Sequence, residues 1–457
     1  MRVFLGEKTT QKNFLFLSQK LQHHTLTYFT THQKILSFCP SCKLIQNANL
    51  NDFQLVYMPN KAEKRIAREK NILFYTYRHQ NIFKSILKQI RNALFSLVDF
   101  LAKKKPQYKH NLVVVKPDAI GDYILFRNFI KLLYQEYGKI TLIANQTNQN
   151  LIETFDKNYL LNYILINRKK FLTNPLYRFK IIRILSHNSY KILINPLYSR
   201  DAISEQIVRN IQAETKVTST GDTSNLTLKE KNIYDQNYTK ILPSSSNIMF
   251  EFNRNLEFFQ NLFQKEIDIE YGLELKDTSS PFDIPKPYFV FFIGASINYR
   301  KWSSSNFIEV GKFILSKQYN IVICGGKEDQ QSANLIATAL SNSNQQIINL
   351  CGKTTLNALV QVIYNSSCLL SNETSCAHIA QAIRHNKVFV MSNGNHLHRF
   401  TPYPKNLGGK YYGIYHPVIQ KNFDMYILTS NLLYGQDKLD INMITPKDVI
   451  EVIDSHL

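Results

Sequence analysis

The chain has 457 residues, a formal net charge of +21, and a composition of 44% hydrophobic and 19% charged residues with 15 Gly and 14 Pro. This length exceeds one ordinary hydrophobic core, and the composition excludes collagen-like, Pro-rich and largely disordered proteins. No apolar run reaches the roughly 18 residues of a membrane-spanning helix, and the amino terminus lacks the apolar run of a secretory signal. Six cysteines do not make a disulfide framework in a chain of this length, so we expect reduced thiols and a cytoplasmic protein.

The positive charge is concentrated at the amino terminus. Residues 1–110 hold 19 Lys and Arg against 5 Asp and Glu, so they carry +14 of the total charge. Apolar residues recur at helical spacing over 81–105, and three lysines close this segment. The pattern predicts a basic amphipathic helix, whose apolar face either docks on the neighbouring domain or contacts an anionic membrane surface. We expect no nucleic-acid partner, because no nucleic-acid-binding motif accompanies the charge.

A single Cys-x-x-Cys pair lies in this basic extension. Cys39 and Cys42 follow three histidines, His23, His24 and His32. Structural zinc takes four ligands, and a second cysteine pair is missing, so we predict no metal site here. The rest of residues 1–105 predicts no particular fold.

Strands and helices alternate from residue 111 onwards, which predicts an α/β protein with parallel sheets covered on both faces. A polar segment at 218–246 is expected to be loop-rich, and a turn-rich segment at 278–287 suggests a domain boundary. We therefore predict a basic extension (1–110) and two α/β domains (111–280 and 281–457). Predicted strands lie at 112–115, 140–144, 164–166, 191–195, 288–293, 320–324, 347–350, 368–370 and 388–391.

The first motif whose residues suit a catalytic role is KPDAIGD at 116–122, directly after a predicted strand. Gly121 allows a tight turn before a helix, which puts Asp122 at or near the helix N-cap. The simpler interpretation is a capping residue. The functional one is a carboxylate that the helix N-terminus keeps ionised and that accepts a proton from a hydroxyl group.

Three more motifs follow strands in the second half, at 294–302 (GASINYRKW), 324–329 (CGGKED) and 371–378 (SNETSCAH). Small residues, hydroxyl groups, cations and a helix start suit the binding of a diphosphate. The same residues also have simpler interpretations. Arg300 and Lys301 would be solvated cations, Glu328 a favourable acid in the first turn of a helix, and His378 a packed structural residue. The candidate binding residues are Ser296, Arg300, Lys301, Glu328, Glu373, Thr374, Ser375 and His378.

Taken in order, these motifs resemble those of glycosyltransferase family 9, the ADP-heptose–lipopolysaccharide heptosyltransferases and their relatives. The likeness runs from about residue 111 to residue 404 and includes a fifth segment, NLCGKT at 349–354. It implies a GT-B architecture, in which two Rossmann-like domains face a cleft, and an inverting transfer that needs no metal and no cofactor. It also implies a nucleotide-diphosphate sugar donor, ADP-heptose or similar, and a lipid-linked or lipopolysaccharide acceptor.

The resemblance assigns roles to the candidate residues. Asp122 corresponds to the proposed general base, and Ser296 to a hydroxyl that contacts phosphate. Either Arg300 or Lys301 corresponds to the cation on the diphosphate, and Glu328 to the acid near the ribose. Glu373, Thr374, Ser375 and His378 correspond to the donor-site stretch.

Two positions depart from the family pattern, since Glu373 replaces an Asp and Ser375 replaces a Gly. Residues 393–400 also replace the commoner Gly-Pro-Thr-Asp stretch, so the donor need not be ADP-heptose. Two other functions stay open: a nucleotide-sugar epimerase or hydrolase on the same fold, and a catalytically inactive nucleotide-binding relative. The basic extension suits an enzyme that works at the inner face of the cytoplasmic membrane.

Overall fold

The computed structural model describes residues 2–6, 8–11, 14, 17, 27–30, 35, 39, 42–44, 55–57, 62–63, 73–75, 82–341, 344–394, 396–423 and 439–457. These residues form three parallel β-sheets that follow one another along the chain. The protein is therefore α/β, as the alternation of strands and helices predicts.

The first sheet lies within the basic extension and was not predicted. Its strands pair in the order β3-β2-β1-β4-β5, all parallel. Each strand has only two to four residues, too few for a hydrophobic period to stand out in the sequence. Cys39 and Cys42 are reduced and buried in the core of this sheet, where burial raises the pKa of Cys42 to about 12. The strands are β1 (Arg2–Leu5), β2 (Thr27–Thr30), β3 (Lys43–Leu44), β4 (Leu55–Tyr57) and β5 (Leu73–Tyr75).

Helix α1 (Ile82–Ala102) leads into the second sheet, which pairs in the order β11-β10-β9-β6-β7-β8. The prediction of a loop-rich 218–246 was wrong in part, because this segment contains α7 and β11, and strand β10 was not predicted. Exposed and half-buried residues alternate at the start of β10, and most of its residues are polar. The strand therefore lacks the apolar run expected of a central strand. Strands and helices here are β6 (Tyr108–Lys116), α2 (Ile120–Ile124), α3 (Asn128–Tyr137), β7 (Ile140–Asn145), β8 (Leu160–Ile166), α4 (Arg168–Thr173), α5 (Pro175–Leu185), β9 (Asn188–Ile194), α6 (Ala202–Arg209), β10 (Gln212–Ser219), α7 (Leu228–Asp235), β11 (Lys240–Leu242) and α8 (Glu251–Phe263), with short helical turns over 146–159.

The third sheet pairs in the order β14-β13-β12-β15-β16-β17, again all parallel. The predicted strands match closely, except that the edge strand β17 was missed. Its elements are β12 (Tyr288–Phe292), α9 (Ser304–Ser316), β13 (Asn320–Cys324), α10 (Gln330–Leu340), β14 (Ile347–Asn349), α11 (Leu356–Tyr364), β15 (Cys368–Asn372), α12 (Ser375–Ala382), β16 (Val388–Ser392), β17 (Tyr411–Tyr415), α13 (Pro417–Lys421) and α14 (Pro446–Asp454).

The second and third sheets meet at the carboxyl ends of their strands. Helix α2 follows β6, helix α12 follows β15, and the two helices pack against each other. A single hydrophobic core runs through both domains and includes Ile124 and Phe250 on one side and Ile379 on the other. The loops after β6 and β15 are thereby brought face to face, where open α/β sheets bind ligands.

Helix α1 docks on the second domain, although not through the described part of its apolar face. Phe95, Asp99 and Ala102 are buried, and Asp99 forms a bidentate ion pair with Arg178 of α5 at 2.6 Å on each oxygen. In the described part of the predicted face, Leu94, Leu97 and Leu101 are exposed, so this part does not dock on the second domain. The side chains of Phe83, Ile86, Leu87 and Ile90 lie outside the described residues. In the described part of the chain, no helix has the length and apolar character needed to cross a bilayer.

Candidate active site

Asp122 lies in the first turn of α2, close to the domain that the third sheet forms. The helix begins at Ile120 with Ala119 as its N-cap, so Asp122 is its third residue, near the N-cap as predicted but not the cap itself. Gly121 is helical, and a Cβ added to it would lie 2.7 Å from Cδ2 of His378. Glycine is therefore needed for this close approach between domains, and not for the tight turn expected from the sequence.

The charges around Asp122 set its protonation. Lys116 is fully buried, with its Nζ 2.8 Å from Oδ2 of Asp118, and Arg399 donates from Nε to Oε2 of Glu251 at 2.7 Å. The pKa of Asp122 is raised to about 7, mainly by burial and also by the charges of Asp118 and Glu251, whereas Lys116 and Arg399 act to lower it. Burial opposes the ionisation of this carboxyl group that was expected from the helix start. Asp122 is instead poised to exchange a proton near neutral pH.

His378 is a neutral, fixed ring on the opposite side of this contact. Thr374 caps α12 by accepting a hydrogen bond from the Cys376 amide at 3.3 Å, and His378 lies one turn further along. Nδ1 of His378 is hydrogen-bonded to the hydroxyl of Tyr403, and the hydroxyl of Tyr271 donates to the His378 carbonyl at 3.1 Å. Burial lowers the pKa of His378 to about 4. The ring therefore acts as a hydrogen-bonding group at neutral pH and not as a cation.

The adjacent cations Arg300 and Lys301 point to different partners. Nζ of Lys301 donates to Oδ1 of Asp329 at 2.6 Å, and Oδ2 of Asp329 accepts from the Gly326 amide at 2.9 Å. Nη2 of Arg300 lies 3.2 Å from the ring nitrogens of His396, and its Nε is buried without a hydrogen-bond partner among the residues described. Lys301 thus ties two loops together, while Arg300 keeps donor capacity for an anion.

Glu373, which stands where the family pattern has Asp, is buried and faces the segment after β16. Its Oε2 accepts a hydrogen bond from the hydroxyl of Ser392, and its Oε1 lies 3.7 Å from Nδ1 of His396. Burial raises the pKa of Glu373, and Arg300 opposes that rise. Burial also lowers the pKa of His396 well below its usual value, with Arg300 acting in the same direction.

Asn372, at the end of β15, holds the loop that follows β12. Its Nδ2 donates to the carbonyl of Ile293 at 2.9 Å, and its Oδ1 accepts from the Trp302 amide at 3.2 Å. The backbone on both sides of Ser296 and Arg300 is therefore fixed to the strand that precedes Glu373.

A row of rings links the two halves of the site. The ring centroids of His378 and Phe400 are 5.8 Å apart, those of Phe400 and His396 are 5.4 Å apart, and His396 contacts Arg300. The structure thus brings Gly121 and Asp122 into one region with His378, Thr374, Arg300 and Glu373. Ser296 is exposed on a loop, Glu328 is exposed in a short helical turn, and Ser375 is half-buried at the start of α12.

Glu251, Arg399 and Tyr403 belong to the site but were not predicted. Glu251 and Arg399 lie far apart in sequence and meet only through the domain contact, where the Glu251 amide also donates to the Arg399 carbonyl at 2.9 Å. Arg399 lies in the segment that departs from the family pattern, and this departure was the only feature of the sequence that could have pointed to it. Among the residues described, no group of three or more His, Cys, Asp or Glu is arranged to hold a metal ion.

Comparison with known proteins gives a family for this arrangement. The model of glycosyltransferase family 9 (heptosyltransferase) matches residues 178–410, about half of the chain. Lipooligosaccharide heptosyltransferase 2 of Haemophilus ducreyi is 30% identical over 104 residues, which cover 22% of this chain and 30% of that protein. Lipopolysaccharide heptosyltransferase 2 of Escherichia coli is 28% identical over 104 residues, covering 22% and 29%. The matched segment thus spans about a third of the length of these curated relatives.

Solved structures extend the likeness to the fold. A family 9 glycosyltransferase from Veillonella parvula aligns with a TM-score of 0.58 at 14% identity, covering 77% of this chain and 98% of that chain. Escherichia coli heptosyltransferase WaaC with ADP aligns with a TM-score of 0.57 at 14% identity, covering 76% and 100%. The expected fold of two Rossmann-like domains in the GT-B arrangement is confirmed by these neighbours. The match of the family model over half of the chain shows that this chain belongs to glycosyltransferase family 9.

Proposed function

We propose that the protein is an inverting, metal-independent glycosyltransferase. It moves a heptose or a related sugar from a nucleoside-diphosphate donor to a lipopolysaccharide or another cell-envelope glycan. The observation that carries this proposal is the position of Asp122, a carboxyl group with a pKa of about 7, beside Gly121, which packs on His378 of the other domain. A proton acceptor at a domain contact is what attack by an acceptor hydroxyl requires.

In the proposed reaction, Asp122 removes the proton from a hydroxyl group of the acceptor sugar. The acceptor oxygen then forms a bond to the anomeric carbon while the bond to the diphosphate oxygen breaks on the opposite face. The products are a glycoside of inverted configuration and a nucleoside diphosphate, and the proton on Asp122 passes to solvent. Because Asp122 titrates near pH 7, it is deprotonated often enough to accept this proton and can release it again.

The charge that develops on the leaving diphosphate needs fixed donors. We assign this role to Arg300, which has an unused Nε–H, to the Ser296 hydroxyl and to the start of α12 beside Thr374. Lys301 acts mainly by holding Asp329, so Arg300 is the better candidate of the two cations. His378 contributes a neutral hydrogen bond, Glu373 and Ser375 shape the donor site, and Glu328 accepts from ribose hydroxyls.

The partners in this proposal come from the relatives. One solved structure contains ADP and another ADP-2-deoxy-2-fluoro heptose, and the curated relatives are lipopolysaccharide or lipooligosaccharide heptosyltransferases. We infer an ADP-sugar or similar donor and a lipid-linked acceptor. The enzyme would meet this acceptor at the inner face of the cytoplasmic membrane.

A panel of nucleoside diphosphates, followed by the matching sugar nucleotides, tests the proposal. Calorimetry should identify one diphosphate that binds, and its sugar nucleotide should give a glycoside of inverted anomeric configuration by NMR when an envelope acceptor is present. Added chelator should not change the rate. Free epimer or free sugar formed without acceptor would favour the epimerase or hydrolase, and tight binding without any turnover would favour the inactive relative.

A further inference from the structure

We propose that the outward face of α1, together with the adjoining face of α5, binds the surface of an anionic phospholipid bilayer. This surface is here called the flank and consists of Leu94, Leu97, Phe100 and Leu101 of α1 with Leu176, Lys180, Arg183 and Ile184 of α5. The proposal names a partner for the chain and stands whether or not the chain transfers sugar.

The flank exposes large apolar side chains in one continuous stripe. Leu94 is 51%, Leu97 55%, Phe100 75% and Leu101 63% exposed. Positions 94, 97 and 101 recur at helical spacing, so they lie on one face of α1. Leu176 and Ile184 on the neighbouring helix are exposed as well. Isolated surface leucines are common, whereas a contiguous apolar stripe along a helix marks an interaction surface.

A buried ion pair fixes the rotation of α1 with this stripe facing outward. Both oxygens of Asp99 accept from Arg178 at 2.6 Å, and Asp99 also accepts from Arg209 at 3.0 Å and from Asn210 at 2.9 Å. The Arg178 guanidinium lies 4.9 Å from the centroid of the Phe95 ring. If α1 rotated to bury its leucines, the buried Arg178 would lose its carboxylate partner, which is costly.

The charges of the flank select an anionic partner. Asp99 is the only acidic residue between 82 and 110, and α5 has none. Exposed cations follow the stripe at Lys103, Lys104 and Lys105, and Lys180 and Arg183 are exposed on α5. An apolar stripe bordered by cations matches the acyl boundary and headgroups of an anionic membrane. A second copy of the chain fits less well, because it would bring like charges together.

The flank lies along the side of the second domain, on the helices that precede β6 and β9. Helix α1 ends shortly before β6 begins, α5 ends shortly before β9 begins, and the Lys104 amide donates to Oγ of Ser186 at 3.1 Å. A helix of 21 residues is about 31 Å long. Its first turns therefore reach the level of the carboxyl end of β6, where the Asp122 loop starts. The exposed leucines of the flank lie in the second half of α1, nearer the amino end of β6.

Sedimentation of the full chain with phosphatidylcholine vesicles, with and without phosphatidylglycerol, tests the proposal. We expect binding only to the anionic vesicles and weakening with salt. The double variant Leu97→Glu/Phe100→Glu should lose binding, and each of Lys103→Gln, Lys104→Gln and Lys105→Gln should weaken it about fivefold. The matched control is Leu335→Glu, which changes a leucine that is 58% exposed on α10 and should bind like the parent chain.

Retained nucleoside-diphosphate binding shows that the double variant is folded. Vesicle binding is measured without turnover, so it is tested separately from the proposed transfer. Three results would overturn the proposal: equal binding to neutral and anionic vesicles, equal loss in the Leu335→Glu control, or no binding to either vesicle. A dimer seen by sedimentation equilibrium and dissociated by the double variant would assign the flank to a second copy instead.

Discussion

At the scale of single residues, the important property is the protonation of Asp122. The motif at 116–122 predicted its place after β6, because a strand followed by a glycine-containing turn is visible in the sequence. Its pKa was not predictable, because Glu251 and Arg399 approach it from distant parts of the chain. The group that raises this pKa most after burial is Asp118, which is within the same motif.

Asp118→Asn should therefore shift the pH dependence of transfer. Removing this negative charge lowers the pKa of Asp122 from about 7 by about one unit, so the base stays deprotonated to lower pH. Activity is lost as pH falls through this pKa, and the acid limb of kcat/KM should move to lower pH in the variant. The exposed Asp283→Asn is the control and should leave the limb in place. An unshifted limb in Asp118→Asn would mean that another group titrates.

At the scale of elements, the contact of α2 with α12 aligns the two halves of the site. The strands that carry these helices were predictable, since short β-branched apolar runs indicate buried strands. The packing of Gly121 on His378 was not, because neither its distance nor its partner is written in the local sequence. Strand β17 and the short strands of the first sheet were not predictable from the local sequence either.

Gly121→Ala should separate these helices without unfolding either domain. The added methyl carbon would lie 2.7 Å from Cδ2 of His378, and that ring is held by Tyr403. A displacement of this kind can cost on the order of 10² in rate. Gly272→Ala is a matched control at the domain contact, since its methyl would meet only the Ala382 carbonyl at 3.6 Å. Measurement of kcat/KM and Tm separates the effects, and parent-like transfer by Gly121→Ala would contradict this account of the contact.

At the scale of the whole molecule, the first sheet packs next to the segment that departs from the family pattern. Val3, Leu5 and Tyr57 share one hydrophobic cluster with Leu397 and Ile419 of the third domain. Leu397 adjoins His396, which contacts Arg300. The extension and the segment around Leu397 therefore share one hydrophobic core. The order of the domains was predictable from the motifs, whereas this contact between the two ends of the chain was not.

The central claim is that each of the two facing domains has its own role in transfer. One supplies the proton acceptor, and the other binds the diphosphate of the donor. The most direct test measures sugar-nucleotide affinity and transfer rate for Asp122→Asn and Arg300→Gln in parallel. We predict that Asp122→Asn keeps the affinity of the parent chain but loses on the order of 10² to 10⁴ in transfer rate, while Arg300→Gln weakens nucleoside-diphosphate binding. Transfer at the parent rate by a folded Asp122→Asn variant would contradict the account.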